Sequence, residues 1–216
     1  GQAIALTFGF RTSDSAAHDG GAGFSQFSDQ QIAVGKAALQ SWADVSGLTF
    51  QQVGDGHTNK ATILFGNFDK PGAAGAAHAY LPGSQFIAGN QAPSSQDGDV
   101  WVNTAYDYEA NPVLWGYGQL TLVHEIGHAL GLDHPGDYNA GQGEITYKNS
   151  AEYRQDTRQY TVMSYFSETN TGGDFHKNGV ETYGASPMMH DIAAMQRLNG
   201  ANFETLTGDT TFGFNS

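Results

Sequence analysis

The chain contains no cysteine. That excludes a disulfide framework and thiolate metal ligands, and leaves histidine and carboxylate to hold any metal. Basic residues are scarce too: nine Lys and Arg against 22 Asp and Glu give a formal net charge of −13. Phosphate contacts need Lys and Arg, so no nucleic-acid partner is expected. The acidity fits solubility and tolerance of calcium instead. No apolar run approaches the roughly 20 residues of a membrane span. The opening Gly1-Gln-Ala-Ile-Ala-Leu-Thr-Phe-Gly-Phe10 alternates like a strand and lacks the basic start and cleavage site of a signal peptide. The expectation is therefore a mature form, or a protein exported without an N-terminal signal.

At 216 residues, with 39% hydrophobic content, 13 Phe and 10 Tyr, the chain is long enough to bury a substantial core in one large domain or two small ones. Its 29 glycines imply many turns and long loops. Residues 2–10 read as a strand and 20–23 as a loop. Ser28-Asp-Gln-Gln31 is a capping-box start. It opens a helix carrying Ile32, Leu39, Trp42 and Val45 that stops at Gly47. Residues 48–53, 61–68, 76–81 and 99–103 read as strands. A second helix is expected from about Gly116 to Leu130, followed by a long irregular connection over 133–160. A third starts at Ser186-Pro187 and ends before Gly200. Strands precede the metal-binding segments, which predicts an α/β sandwich with a mixed twisted sheet and a cleft along one edge.

The most informative run is His124-Glu-Ile-Gly-His-Ala-Leu-Gly-Leu-Asp-His134. Residues four apart on a helix share a face, with Cβ atoms roughly 5–6 Å apart. His124 and His128 can thus converge on one ion at Zn–N distances of about 2.0–2.1 Å. Glu125 points about 100° further round the helix, where it can face a metal-bound water without ligating. Gly131 permits a positive φ, which would end the helix and swing His134 back as a third ligand. Three protein ligands leave a fourth position open, as at a catalytic zinc. A solvated amphipathic helix with incidental histidines would need neither of the two added fixed positions.

Tyr160-Thr-Val-Met-Ser-Tyr165 is the second informative run. A long zinc motif with a downstream Met turn resembles the metzincin clan of zinc endopeptidases. Pro135 directly after the third histidine, and the turn Val162-Met-Ser-Tyr165, look like the serralysin family rather than matrixins, astacins or adamalysins. The likeness covers most of the chain, through 122–140, 160–166, 189–194 and 208–216.

That resemblance implies a metzincin-like catalytic domain. Its mixed five-stranded sheet would have an antiparallel edge strand, with three main helices and the active-site cleft at the sheet edge. Residues 1–207 would form this domain, and 208–216 would begin a linker to a calcium-binding β-roll. The Gly/Asp-rich nonapeptides of such a roll do not occur here, so Ca²⁺ is expected only in that further region. His124, His128 and His134 would bind Zn²⁺, and Glu125 would be the general base activating a zinc-bound water. Met163 would be an apolar floor under the metal, and Tyr165 a hydrogen-bond donor to the developing oxyanion. The implied protein is a secreted bacterial endopeptidase of broad specificity, monomeric, acting on proteins or peptides and subject to a small protein inhibitor.

The strand around Ala77, His78, Ala79 and Tyr80 is the candidate for pairing with an extended substrate. His18, His57, His78, His176 and His190 lack ligand spacing and read as surface or packed residues. Asp191 is expected to brace the Met turn or the zinc site, and Asp133 to be a loop residue. A non-catalytic binding domain of this fold would have no need of Glu125 and a full ligand set. A small-substrate metalloamidase fits poorly with a peptide-length edge strand. The side chains of the S1′ wall, in 133–160 or near the Met turn, are not placed by sequence.

Overall fold

Alternating apolar residues form β1 (Ile4–Phe10), which is exposed at its start and buried from Phe8 onward. The computed structural model of the protein describes residues 4–14, 23–73, 75–83, 96–205 and 207–208. All but the first residue of the expected linker at 208–216, together with His18 and most of the 20–23 loop, lie outside those residues. Helix α1 (Asp29–Val45) begins as expected. Ser28 Oγ accepts the Gln31 N–H, and the Gln31 side chain accepts the Ser28 N–H in return. The strands β2 (Leu48–His57), β3 (Ile63–Phe68), β4 (Ala77–Ala79) and β5 (Val100–Asn103) follow.

The sheet order is β2-β1-β3-β5-β4. β1 pairs in parallel with β2 (Ile4 opposite Leu48) and with β3 (Phe8 opposite Ile63), and β3 pairs in parallel with β5. Only β4 runs antiparallel in this sheet, with Ala77 opposite Val102 and Ala79 opposite Val100. A mixed five-stranded sheet with an antiparallel edge strand is thus what forms. β3 and β5 are buried throughout, as internal parallel strands should be.

Helices α2 (Asp107–Ala110) and α3 (Tyr117–Ala129) come next, and then the one-turn helix α4 (Tyr147–Ser150). A 3-10 turn (Glu168–Thr171), the small hairpin β6 (His176–Lys177) and β7 (Val180–Glu181), and helix α5 (Met189–Asn199) complete the order. Three helices are long, in agreement with expectation: α1, α3 and α5. α1 packs on α3, where fully buried Trp42 donates its indole N–H to Val123 O at 3.0 Å. The rings of Phe10, Phe27 and Phe65 meet at 5.4–5.6 Å in the core beneath β1 and β3.

Element ends depart from the expectations for identifiable reasons. β2 runs on to His57, and β4 keeps only three residues of the expected 76–81. α5 starts at Met189, not at Ser186-Pro187. The Asp191 carboxylate reaches back to the Met188 N–H at 2.8 Å and fixes the first turn there. The 133–160 connection is irregular apart from α4. The Tyr138 hydroxyl donates to buried Asp156 at 2.9 Å and so ties the two ends of this connection to each other.

Candidate active site

α3 carries His124, Glu125 and His128; Glu125 and His128 are buried, and His124 is half-buried at the wall of a cleft. The helix ends at Gly131, whose φ of +100° lies in the region that favours glycine. The Leu132 N–H then bonds Gly127 O at 2.9 Å and closes the turn. His134 follows, so the reversal inferred from the spacing is the one that forms. Gly127 itself is required by close approach. A Cβ there would lie 2.6 Å from Met163 Sδ and 3.1 Å from Trp42 Cζ2. Met163 therefore packs against the α3 backbone at Gly127, one residue before His128, as a buried apolar contact.

The three imidazoles converge. Their Nε2 atoms are 3.1, 3.1 and 3.2 Å from one another. These approaches are not hydrogen bonds. Each Nδ1 already faces a main-chain carbonyl: His124 on Val162 O at 2.8 Å, His128 on Leu132 O at 2.7 Å and His134 on Tyr138 O at 2.8 Å. A carbonyl only accepts, so the ring proton sits on Nδ1 and each Nε2 presents a lone pair. Three lone pairs aimed at one another want a cation between them. The centre of their triangle is about 1.8 Å from each nitrogen, which suits Zn–N distances of about 2.0–2.1 Å. Carbonyl partners on the outer nitrogens are the usual way of fixing ligand histidines. Among the described residues this is the one cluster of three such ligand groups.

Electrostatics agree with neutral ligands. Burial, and then the neighbouring imidazoles, hold His124 well below the usual histidine range and His134 down at about 4. Burial lowers His128 as well. Glu125 is buried, its Oε2 has no partner, and burial followed by the nearby Glu109 pushes it up to about 8. A dication held by the adjacent histidines would favour the ionised form and draw that value back toward neutrality.

A cleft of about 330 Å³ opens over this group, lined by Gly75–Ala77 on one side and by α3, Val162, Ser164 and Tyr165 on the other. His124 and Glu125 both line it. Tyr165 is exposed, its ring 4.6 Å from that of His134 and 6.0 Å from that of His124. Burial of part of the ring raises its phenol to about 12, so the hydroxyl keeps its proton. Of the candidate substrate strand, Ala77 lines the cleft. Ala79 packs with Ala77 on the core. His78 turns to the other face and meets the rings of Phe68 and Tyr80 at 5.3 and 5.6 Å. β4 stands last in the sheet, so its outer edge has no strand partner among the described residues.

Asp191 braces the Met turn, as expected. One carboxylate oxygen accepts the Thr161 hydroxyl at 2.5 Å, and the other accepts the Val162 N–H at 2.8 Å. Asp133 Oδ1 caps the His134 N–H in the loop. His190 stacks on Tyr160, and His176 pairs with Asp174, both away from the triad. Sequence reasoning missed Tyr138, which stacks on His134 at 5.2 Å and 16° while its carbonyl holds the same ring. It also missed buried Glu109 and Arg158. Tyr138 stood inside the matched stretch 122–140, but nothing in its type marked it.

A family model described as matrixin, of the Peptidase_M10 group, matches residues 25–162, more than half of the chain. Metallopeptidase AprA of Pseudomonas marginalis is 49% identical over 99% of this chain and 43% of its own length. Serralysin A of Dickeya chrysanthemi is 47% identical over 100% of this chain and 42% of its own. Metalloprotease AprA of Pseudomonas entomophila is 51% identical over 89% and 38%. The chain thus spans about two fifths of the length of these curated relatives. With the family model running through the zinc motif to the Met turn, and such identity to serralysin and AprA relatives extending end to end, this chain belongs to the serralysin family, within the wider peptidase group that the matrixin model describes.

Proposed function

We propose that this protein is a zinc-dependent endopeptidase that hydrolyses peptide bonds of extended polypeptides laid along β4. One observation carries the reading. Three imidazole lone pairs converge within 3.2 Å, each ring fixed by a main-chain carbonyl, in the same cleft as a buried carboxylate with an unpartnered oxygen. His124, His128 and His134 would hold the metal. When bound, zinc would polarise the scissile carbonyl and make water acidic enough to attack near neutral pH.

The remaining work falls to the chain. The open edge of β4 pairs with substrate main chain, which positions the peptide while tolerating many sequences. Glu125 accepts a proton from the attacking water and returns it to the leaving amine as the C–N bond breaks. Tyr165, a neutral phenol beside His134, donates to the oxygen that gains charge at the carbonyl. Met163 supplies packing and no chemistry. Export from a bacterial cell, broad specificity, a monomeric state and control by a small protein inhibitor belong to the same proposal, as does calcium binding elsewhere in a longer protein. Likeness to the serralysins supports these.

Metal content and casein hydrolysis, measured for the wild type and for Glu125→Ala, test the division of labour. Proteolysis that a chelator abolishes and zinc restores is expected, as is retained zinc with lost activity in the variant. Lost zinc would mean that the glutamate is mis-assigned. A zinc-loaded wild type that cuts nothing would sink the reading.

A further inference from the structure

The cleft contains one cation that the reaction does not use. Arg158 is the only Lys or Arg among its lining residues. Its main-chain N–H is fixed on Phe166 O at 2.9 Å. Its guanidinium carbon lies 5.8 Å from the centre of the Tyr117 ring and 5.7 Å from that of Tyr183. Tyr117 and Tyr183 themselves meet edge to face at 5.1 Å, so the arginine is held by a preformed aromatic corner. Its Nε is buried without a hydrogen-bond partner. Among the described residues no carboxylate lies within ion-pair distance of it.

A guanidinium offers five N–H donors in a rigid fork that matches a carboxylate. Leaving such a group partly desolvated and unpaired is costly, unless something else supplies the anion. The acidic groups around this corner are Glu109, Glu125 and Glu181, each of which acts on Tyr117 through space. Glu109 is buried and pushed up to about 8, so near neutral pH it carries little charge to offset the arginine. Glu125 is committed to the proton transfers above, and exposed Glu181 is engaged by the Tyr183 hydroxyl. The rest of the wall, Leu120, Thr121, Val162 and the tyrosine rings, suits the stem of a side chain.

We propose that Arg158 makes this cleft a subsite for an acidic side chain, Asp or Glu, next to the scissile bond. The inference rests on the proteolytic reading and deepens it. The specificity is local and coexists with sequence-tolerant pairing along β4, because the main chain and one pocket are read separately.

The test uses zinc-loaded protein and peptides acetylated and amidated at their ends. The peptides are identical except for Glu, Gln or Leu at the residue on either side of the cut. The wild type is expected to prefer Glu to Gln at one of the two positions by about tenfold or more in kcat/KM, as a charge-assisted contact would give. Arg158→Gln should lose at least about tenfold more activity on the Glu peptide than on the Leu peptide. Binding of the same peptides to Glu125→Gln protein, followed by fluorescence anisotropy, should show the same ranking without turnover. A wild type that treats Glu and Gln alike overturns the subsite, however the variant folds. An equal loss on all peptides with a lowered Tm reduces Arg158 to a packing role and also overturns it. The Leu peptide is also made with a free C-terminal carboxylate, and cleavage of that form alone would mean that the carboxylate recognised is a chain end, which refutes the side-chain subsite. Failure to cut any peptide would overturn the proteolytic reading and the subsite together, whereas cleavage without preference removes the subsite alone.

Discussion

His128 and His134 are held by carbonyls only four residues further along the chain, at Leu132 and Tyr138, whereas His124 depends on Val162, 38 residues away. The first two braces close within one helix end and its return. The third exists only if the Met turn stands in the right place, and Asp191 on α5 keeps it there. One side of the metal centre is therefore built by local geometry and the other by tertiary structure. Damage to the first should strip the metal outright. Damage to the second should loosen metal and fold together.

The largest effect is expected from the local side. His128→Ala should not retain zinc through dialysis, and its proteolysis should fall by about a thousandfold or more. Asp191→Ala attacks the distant brace and leaves the Thr161 hydroxyl and the Val162 and Met188 amides without their acceptor. It should cost about 2–4 kcal/mol of stability and weaken zinc about 10- to 100-fold in chelator competition. Unchanged zinc affinity in the folded variant would show that the two sides are not coupled. Tyr165→Phe touches neither brace. It should lower kcat about 10- to 100-fold with zinc content intact, and an unchanged kcat would remove the tyrosine from the chemistry.

The smallest change concerns the wall beside α3. Glu109 is buried with neither carboxylate oxygen partnered, and its folded pKa is raised from 4.5 to about 8. The folded state thus binds this proton more tightly than the unfolded chain does. The group's contribution is fully present below about pH 4.5 and is lost as pH rises toward 8. Glu109→Gln should therefore leave Tm nearly unchanged at pH 5 and raise it by a few degrees at pH 8.5, on the order of 1–2 kcal/mol. Equal melting shifts at both values would show that the carboxyl is not held protonated.

The same division explains what could be read from the chain. The Ser28–Gln31 cap, the helix at 117–129 and the reversal at Gly131 are determined by residues close in sequence, and their side chains announce them. The antiparallel edge strand came through the resemblance, since three residues carry little pattern of their own. The start of α5 was misplaced because Ser186-Pro187 is a good local signal. The Asp191 carboxylate, serving the Met turn and the Met188 amide at once, overrides it. Leu132 O and Val162 O hold imidazoles through main-chain atoms, which no side-chain motif advertises. Glu109 reads as an ordinary helix glutamate, and only its burial distinguishes it. Arg158 sits in a stretch without periodicity, and its tyrosine partners come from positions 117 and 183.

The Asp191 clamp also has a meaning in time. A chain made from its N-terminus carries all three imidazoles well before the residue that steadies the first of them. The acceptor for the Thr161 hydroxyl and the Val162 amide is therefore absent until residue 191 has been made. The three-histidine site is thus completed by a residue 57 positions beyond its last imidazole, so its geometry is a late product of synthesis.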